Sequence, residues 1–201
     1  MRLTGVQKEA LCRWHEHINS MAGRKGRASL RRSGELREAW LAEGFRSLLL
    51  DPAFKEFCGD KHQAWRFNAL AVVAAVLVHV RHHDERRPFT AQLGRIAPGE
   101  TKPRFSERRF MRLQRASSPD DLLRQLRRAA RILEGSVNIT DLAGGVFCWF
   151  KEEDARLRHQ VLSQQPGEFI HVRWAMDYYQ AGSEDDAQQN SADDITETNN
   201  Q

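Results

Sequence analysis

Four arginines, Arg124, Arg127, Arg128 and Arg131, recur at i, i+3, i+4 and i+7, the spacing that gathers side chains on one face of a helix. The preceding stretch repeats the pattern, with Arg108, Arg112 and Arg115 at i, i+4 and i+7 and Arg109 beside them. A guanidinium is planar, permanently charged and presents five donors, which suits it to multi-donor contact with phosphate. Like charges one turn apart weaken an isolated helix by about 0.2–0.5 kcal/mol per pair, so two stripes almost free of acidic relief point to a use. A cation about every 5.4 Å of helix suits phosphates spaced about 6–7 Å along a strand. Neither stripe carries side chains arranged to read base edges, so contact would be to backbone. For each arginine the competing reading is a solvated face or a pairing with Asp or Glu elsewhere. A third basic group, Arg24, Lys25, Arg27, Arg31 and Arg32, sits around Gly23 and Gly26. It reads as a flexible loop, equally a phosphate contact and an ordinary solvated segment.

Other chemistry finds less support. His79, His82 and His83 would lie at i, i+3 and i+4 on one helix, near metal-ligand spacing, and His83-Asp84 is similar to the pair in HD-type metal phosphohydrolases. The further His and Asp ligands of that fold do not appear in the sequence. His15-Glu16-His17 is not the H-E-x-x-H pattern, and the chain holds no G-x-S-x-G, P-loop or G-x-G-x-x-G. The expectation is a protein without catalytic residues, metal or cofactor. Cys12, Cys58 and Cys148 are scattered, odd in number and form no C-x-x-C pair, the usage of buried thiols in a reduced cytoplasm.

Helices must hold these side chains. The sequence has 201 residues, 40% hydrophobic and 29% charged, enough for a buried core in one domain or two small ones. Its longest apolar run, Ala69 to Val78, is about half of the ~20 residues a membrane span requires. The first twenty residues carry Arg2, Lys8, Glu9, Arg13 and Glu16, unlike a secretory leader. No stretch keeps a two-residue alternation, whereas Leu11, Trp14 and Ile18 in Ala10–Met21 follow helical spacing. Further helices are expected at Glu35–Leu50, Pro52–Phe57 (capped by Asp51), His62–His82, Ser106–Arg115, Ser118–Glu134 (Ser118 capping, Pro119 first, Gly135 stopping), Thr140–Trp149, Glu152–Ser163 and Glu168–Tyr179. Leu122, Leu126, Ala129, Ala130 and Leu133 form the inward stripe of the Arg124 helix, and Phe110 and Leu113 that of the Arg108 helix. Most of the five tryptophans read as core anchors, and Gly144-Gly145 as a close helix contact.

The fold class expected is therefore all-α. Two small helical bundles, residues 1–98 and 99–181, are joined through the connector Pro88–Pro103, and an acidic tail, 182–201, is expected to be disordered. That tail holds Glu184, Asp185, Asp186, Asp193, Asp194 and Glu197 and no Lys or Arg. The formal charge of +4 thus understates the body, where 31 basic side chains face 21 acidic ones. Fourteen of the basic residues against six acidic ones fall between Arg81 and Arg131, and arginine far outnumbers lysine. Such a body calls for a phosphate-bearing partner.

The order of these pieces resembles the CasB family, the small subunits of the type I-E CRISPR surveillance complex, Cascade. The resemblance rests on Leu93-Gly94-Arg95, on Ser106-Glu107-Arg108-Arg109-Phe110-Met111-Arg112-Leu113-Gln114-Arg115-Ala116, and on Leu122 through Arg127-Arg128 to Leu133. The Ala10–Trp14 helix, Leu30-Arg31-Arg32, the Ala69–Arg81 helix and Trp149-Phe150-Lys151 follow in the family's order, so about residues 8 to 165 are covered. It implies a cytoplasmic, non-catalytic, all-helical protein of antiviral defence. It also implies as partners the backbone and large subunits, a second copy of itself, the guide RNA and the target and displaced DNA strands, with no membrane. Arg31, Arg32, Arg81, Arg95, Arg108, Arg109, Arg112, Arg115, Arg127 and Arg128 fall on basic positions of the family pattern. With Arg27, Arg124 and Arg131 from the basic loop and stripe, they are the candidate nucleic-acid contacts in the R-loop. The other reading of the same residues is a stand-alone helical regulator that binds DNA or RNA by itself. Pro166–Tyr179 and the acidic tail depart from the family pattern.

Overall fold

The computed structural model describes residues 3–163 and 165–183, apart from the side chain of Lys61. The expected disordered tail therefore lies, from residue 184 onward, outside the described residues. Eleven α-helices are described: α1 Gly5–Asn19, α2 Arg24–Arg32, α3 Leu36–Leu41, α4 Glu43–Leu49, α5 Pro52–Gly59, α6 Trp65–Leu77, α7 Phe89–Gly94, α8 Glu107–Gln114, α9 Pro119–Ile132, α10 Ile139–Leu157 and α11 over residues 170–183. The all-α reading holds, with one addition. His82–His83 (β1) and Ser136–Val137 (β2) form a two-residue parallel bridge, His82 beside Ser136 and His83 beside Val137.

The centre of the molecule is α6. Every side chain from Ala69 to Val78 is fully buried, as its apolar composition all round requires. It is sandwiched by α10 along one side, by α9, and by α3 and α4. One continuous apolar cluster extends from Leu3 to Tyr178 and takes in residues on both sides of the Pro88–Pro103 connector. Trp14, Trp65, Trp149 and Trp174 are anchors in it, while Trp40 is 39% exposed. The carboxy-terminal half also supplies carboxylates that cap helices elsewhere. Asp120 accepts from the first amide of α3, Leu36 (2.7 Å), and Asp141 from that of α7, Phe89 (2.8 Å). Glu152 does the same for Ile170, the first amide of α11 (2.7 Å). Each satisfies an amide that a helix start leaves without an intrahelical partner.

Several expected boundaries move, for local reasons. The basic segment around Gly26 is not a loop but α2. Its glycine is there for proximity, since a Cβ on the facing Gly44 of α4 would stand 2.7 Å from the Gly26 carbonyl oxygen. Glu35–Leu50 is two helices, broken where Ala42 is extended. The first helix starts at Gly5, because Thr4 and Gln7 close a reciprocal capping box ahead of it. The central helix ends at Leu77, so His79 lies in a turn and His82 and His83 in β1, not on one helix face. Thr140–Trp149 and the first half of Glu152–Ser163 merge into the single helix α10, as no breaker separates them, and the helix stops at Leu157 rather than Ser163, with His159 in the left-handed region (φ 55°). The starts of α5 and α9 are as expected: Asp51 accepts from Ala53, and Ser118 from Asp121. Gly145 meets the Trp174 indole, where a Cβ would come within 2.9 Å, but Gly144 has nothing within 4 Å.

Candidate nucleic-acid interface

The end of α6 is where cations converge. A helix carboxy-terminus leaves its last carbonyls without intrahelical partners and carries partial negative charge, so it attracts guanidinium groups. Arg31 of α2, an exposed residue, donates through Nε to the Val78 carbonyl (3.0 Å). Arg27, one turn earlier, is half-buried and donates to the Asn19 carbonyl (2.9 Å).

Arg81 is fixed from the other side. The α9 helix ends in two left-handed residues, Glu134 (φ 55°) and Gly135 (φ 78°). The Gly135 carbonyl then accepts from the amides of Arg81 (2.7 Å) and His82 (3.0 Å). Glycine is required there by the positive φ and by contact, because a Cβ would lie 3.3 Å from the Arg81 nitrogen. Arg131 lies in the last turn of α9, close enough for its charge to act on His79.

The electrostatics confirm that these groups sense one another. Arg31 has its pKa lowered, first by burial and then by the charges of Arg27 and Arg81. His79, at the middle of the cluster, is pushed down to about 4, first by burial and then by Arg127, Arg131 and Arg31. The charges acting on both groups are all cationic. The chain therefore holds a local excess of positive charge that an external anion would relieve.

Arg127 is the correction to the exposed stripe. It is 9% exposed, and its guanidinium donates to the carbonyls of Ala75 (3.1 Å), Leu30 (3.3 Å) and Ser33. It thus plugs the carboxy-terminal ends of α6 and α2 at once. Helical spacing places it with Arg124, Arg128 and Arg131, but α9 packs so closely on α6 that the inward stripe takes in Leu123 and Arg127, while Leu133 is only half-buried. Arg124 and Arg128 are exposed, Arg124 standing 3.9 Å from Asp121.

On α8, Phe110 and Leu113 are fully buried, and Arg108, Arg109, Arg112 and Arg115 are all exposed. Arg109 also donates to the Arg104 carbonyl (3.1 Å). Arg32 is exposed on α2. Arg95, just past α7, is exposed at a cleft of about 550 Å³ that Arg86, Arg87 and Arg104 also line. Those last three were not singled out from the sequence. The adjacent Arg86-Arg87 pair before Pro88 was the available signal, yet Arg104 is brought to them only by the fold.

Among the described residues, no group of three or more His, Cys, Asp or Glu is placed to hold a metal ion, and no helix is long and apolar enough to cross a membrane. His83 Nδ1 instead accepts from the Ile139 amide (3.3 Å). Cys12 is half-buried, and Cys58 and Cys148 are buried. Burial pushes the Cys58 thiol up to about 12.

Comparison with known proteins agrees with the architecture. The crystal structure of CasB from Thermobifida fusca superimposes with a TM-score of 0.59 over 88% of this chain and 99% of that one, at 17% identity. At that identity the likeness speaks to the fold. No curated protein matches in sequence. The family model for CRISPR-associated protein Cse2 matches residues 26–179, from within α2 into α11. With three quarters of its length so matched, the chain belongs to the CRISPR-associated Cse2 family.

Proposed function

We propose that this chain is a non-catalytic small subunit of a type I-E CRISPR RNA-guided surveillance complex, Cascade, in the cytoplasm. In that role it grips nucleic-acid backbone through arginine faces and so stabilises the guide RNA–target DNA hybrid and the displaced strand. Its partners are the backbone and large subunits, a second copy of itself, the guide RNA and both DNA strands. The observation that carries this reading is the meeting of Arg27, Arg31, Arg81 and Arg131 at the end of α6, where the charges that act on Arg31 and His79 are cationic. Arg32, Arg95, Arg108, Arg109, Arg112, Arg115, Arg124 and Arg128 extend it over exposed helix and loop surface. Arg127 belongs to the scaffold behind it.

The mechanism is electrostatic. Exchange of a DNA duplex for a guide–target hybrid is nearly balanced, and protein contacts to the backbone tip it. Each neutralised phosphate releases condensed counterions, so the contribution falls steeply as salt rises. No base edge is read, and the sequence preference belongs to the guide.

The test is R-loop formation by a reconstituted guide complex, with and without this chain, across a salt series. The expected result is a longer R-loop lifetime with the chain, the gain shrinking as salt rises. A chain that neither joins the complex nor changes target binding, yet binds DNA or RNA alone with preference for one site, is instead an independent regulator.

A further inference from the structure

Helix α11 sets an aromatic ring beside the arginine row of α8. Phe110 of α8 and Tyr178 of α11, both buried, stack with centroids 4.0 Å apart and planes within 5° of parallel. The Tyr178 hydroxyl donates to the Phe105 carbonyl (2.8 Å) and anchors the pair. Tyr179 stands perpendicular to both rings, its centroid 5.2 Å from that of Tyr178 and 6.0 Å from that of Phe110. Distances so nearly equal place it beside the stack and not at its end. It offers one face to the two ring edges, because its own edge at those distances would collide with theirs. Edge-to-face contact of this kind is a preferred arrangement for aromatic rings.

The opposite face of Tyr179 turns away from the stack, and the residue is 45% exposed. Among the described residues, no further aromatic ring and no guanidinium packs on it. Its hydroxyl donates to Glu107 Oε1 in the first turn of α8 (2.8 Å), so the ring is held at one face and at its tip. A side chain already fixed in this way loses little further freedom when a ligand covers it.

The next row on α8 is basic. Glu107, Met111 and Gln114 recur at i, i+4 and i+7 along the side that meets α11, where Gln114 donates to the His171 carbonyl (2.8 Å). Arg108, Arg112 and Arg115 form the adjoining row, each one residue further on, and all three are exposed. Met111, 37% exposed, lies between that row and α11.

We propose that the outward face of Tyr179 is a stacking platform for an unpaired nucleobase of single-stranded nucleic acid, whose flanking phosphates lie on Arg108, Arg112 and Arg115. The phosphate part rests on the backbone-binding function proposed above, whereas the platform rests on the ring geometry. A base stacked on tyrosine is held by its π-face, so the site accepts any base and reads no base edge. The thioether of Met111 adds polarizable surface beside it. Bases inside a duplex or hybrid are stacked on one another and have no free face to give. The platform therefore favours a displaced or unpaired strand.

The experiment measures binding of the full chain to a thymidine oligonucleotide of about ten residues and to an abasic oligomer with the same sugar–phosphate backbone, across a salt series. The parent should bind the thymidine oligomer about fivefold tighter or more. That ratio should hold as salt rises while both affinities fall, since stacking neutralises no phosphate. Tyr179→Leu should bring the ratio close to one and leave the abasic affinity unchanged, and Tyr179→Phe should retain most of the ratio. Arg108→Glu with Arg112→Glu should weaken both oligomers and keep the ratio. Equal affinities of the parent for the two oligomers would overturn the platform and leave the backbone reading standing. A ratio that survives Tyr179→Leu also overturns it, because the base then stacks elsewhere. Loss of both oligomers alike in Tyr179→Leu does the same, since the side chain then only supports α8. Affinities that depend on Tyr179 but neither on salt nor on the arginine pair would keep the platform and refute the backbone-binding reading. Binding of neither oligomer overturns both.

Discussion

Helices α8 and α9 look alike as sequence, each an apolar stripe backed by arginines, yet the fold uses them differently. Helix α8 has eight residues and touches the core through Phe110 and Leu113, so its arginines remain on the surface. Helix α9 has fourteen residues and lies on α6 and α3, and its burial takes in Arg127 as well as Leu122, Leu123, Leu126, Ala129 and Ala130. What separates the two stripes is not charge or spacing but what stands opposite. Opposite Arg127 are the carboxy-terminal carbonyls of two helices, a site that demands a multi-donor cation. The α8 arginines stay exposed, with Arg109 resting on the Arg104 carbonyl. An arginine periodicity therefore marks a helix, and only the packing partner decides which of its members bind a ligand.

The contrast is sharpest at Arg127. Arg127→Met keeps the stem's packing but takes the guanidinium from three buried carbonyls, of which Leu30 keeps only the Ser33 amide, and should cost about 3–4 kcal/mol of stability. For a chain of this size that is a fall of about 6–16 °C in melting temperature. Arg127→Lys should recover less than half, because one ammonium cannot reproduce the fork that meets Ala75, Leu30 and Ser33 together. Arg128→Met, one residue on and exposed, should stay within about 0.5 kcal/mol. Equal denaturation midpoints for the Met variants at 127 and 128 would remove the distinction between the helices.

The α8 face should give the opposite pattern. Arg108→Glu with Arg112→Glu is expected to leave the unfolding midpoint within about 0.5 kcal/mol of the parent. The same pair should weaken R-loop binding by about tenfold to a hundredfold at low salt, about 1.4–2.8 kcal/mol. Binding measured against salt should also lose slope, since fewer counterions are released. A well-folded double variant with unchanged R-loop lifetime would take α8 out of the interface.

This contrast also shows what could be read without coordinates. The class of the fold, the capped starts of α5 and α9, and the inward residues Phe110 and Leu113 follow from caps and 3.6-residue periodicity, which are local properties. The merging of two expected helices into α10 and the splitting of Glu35–Leu50 at Ala42 were not legible, since tertiary packing settles both. The basic segment at Gly26 was misread because glycine signals both a break and a close contact. Only the partner, Gly44, distinguishes the two. Within the candidate site, residue types were legible and depth was not. Arg127 is buried by neighbours 52 to 97 residues away, and Arg104 comes to Arg95 only through the turn of the connector.

A smaller effect reports on the same asymmetry through a histidine. Arg127 and Arg131 of α9 act on His79, whereas no arginine of α8 does. The unfolded ring takes up its proton near pH 6.5 and the folded ring only near 4, so between those values the unfolded chain holds more protons. Stability is therefore full above about pH 6.5 and falls as the pH drops towards 4. After allowance for the solvent contact of this half-buried ring, the loss is about 1–2 kcal/mol. His79→Gln should flatten that part of the stability–pH curve. Arg131→Gln should move the His79 titration upward, and the α8 double variant should not move it. A His79 titration that responds to α8 would mean that the two basic helices share one field.

The smallest expected effect lies at Arg124, at the far end of the α9 stripe from His79. Its guanidinium is exposed and 3.9 Å from Asp121, an i, i+3 pair on the surface that contributes a few tenths of a kcal/mol at most. Arg124→Ala should accordingly change stability by less than about 0.5 kcal/mol and R-loop affinity by about twofold. Arg131→Ala, seven residues on and within the cluster at the end of α6, should cost several times more affinity at the same salt. The ratio between them measures how far the interface extends along α9. If Arg124 costs as much as Arg131, the phosphate path follows the whole helix axis. If Arg124 is silent, the path crosses α9 only at its carboxy-terminal end, where Arg27, Arg31 and Arg81 already stand.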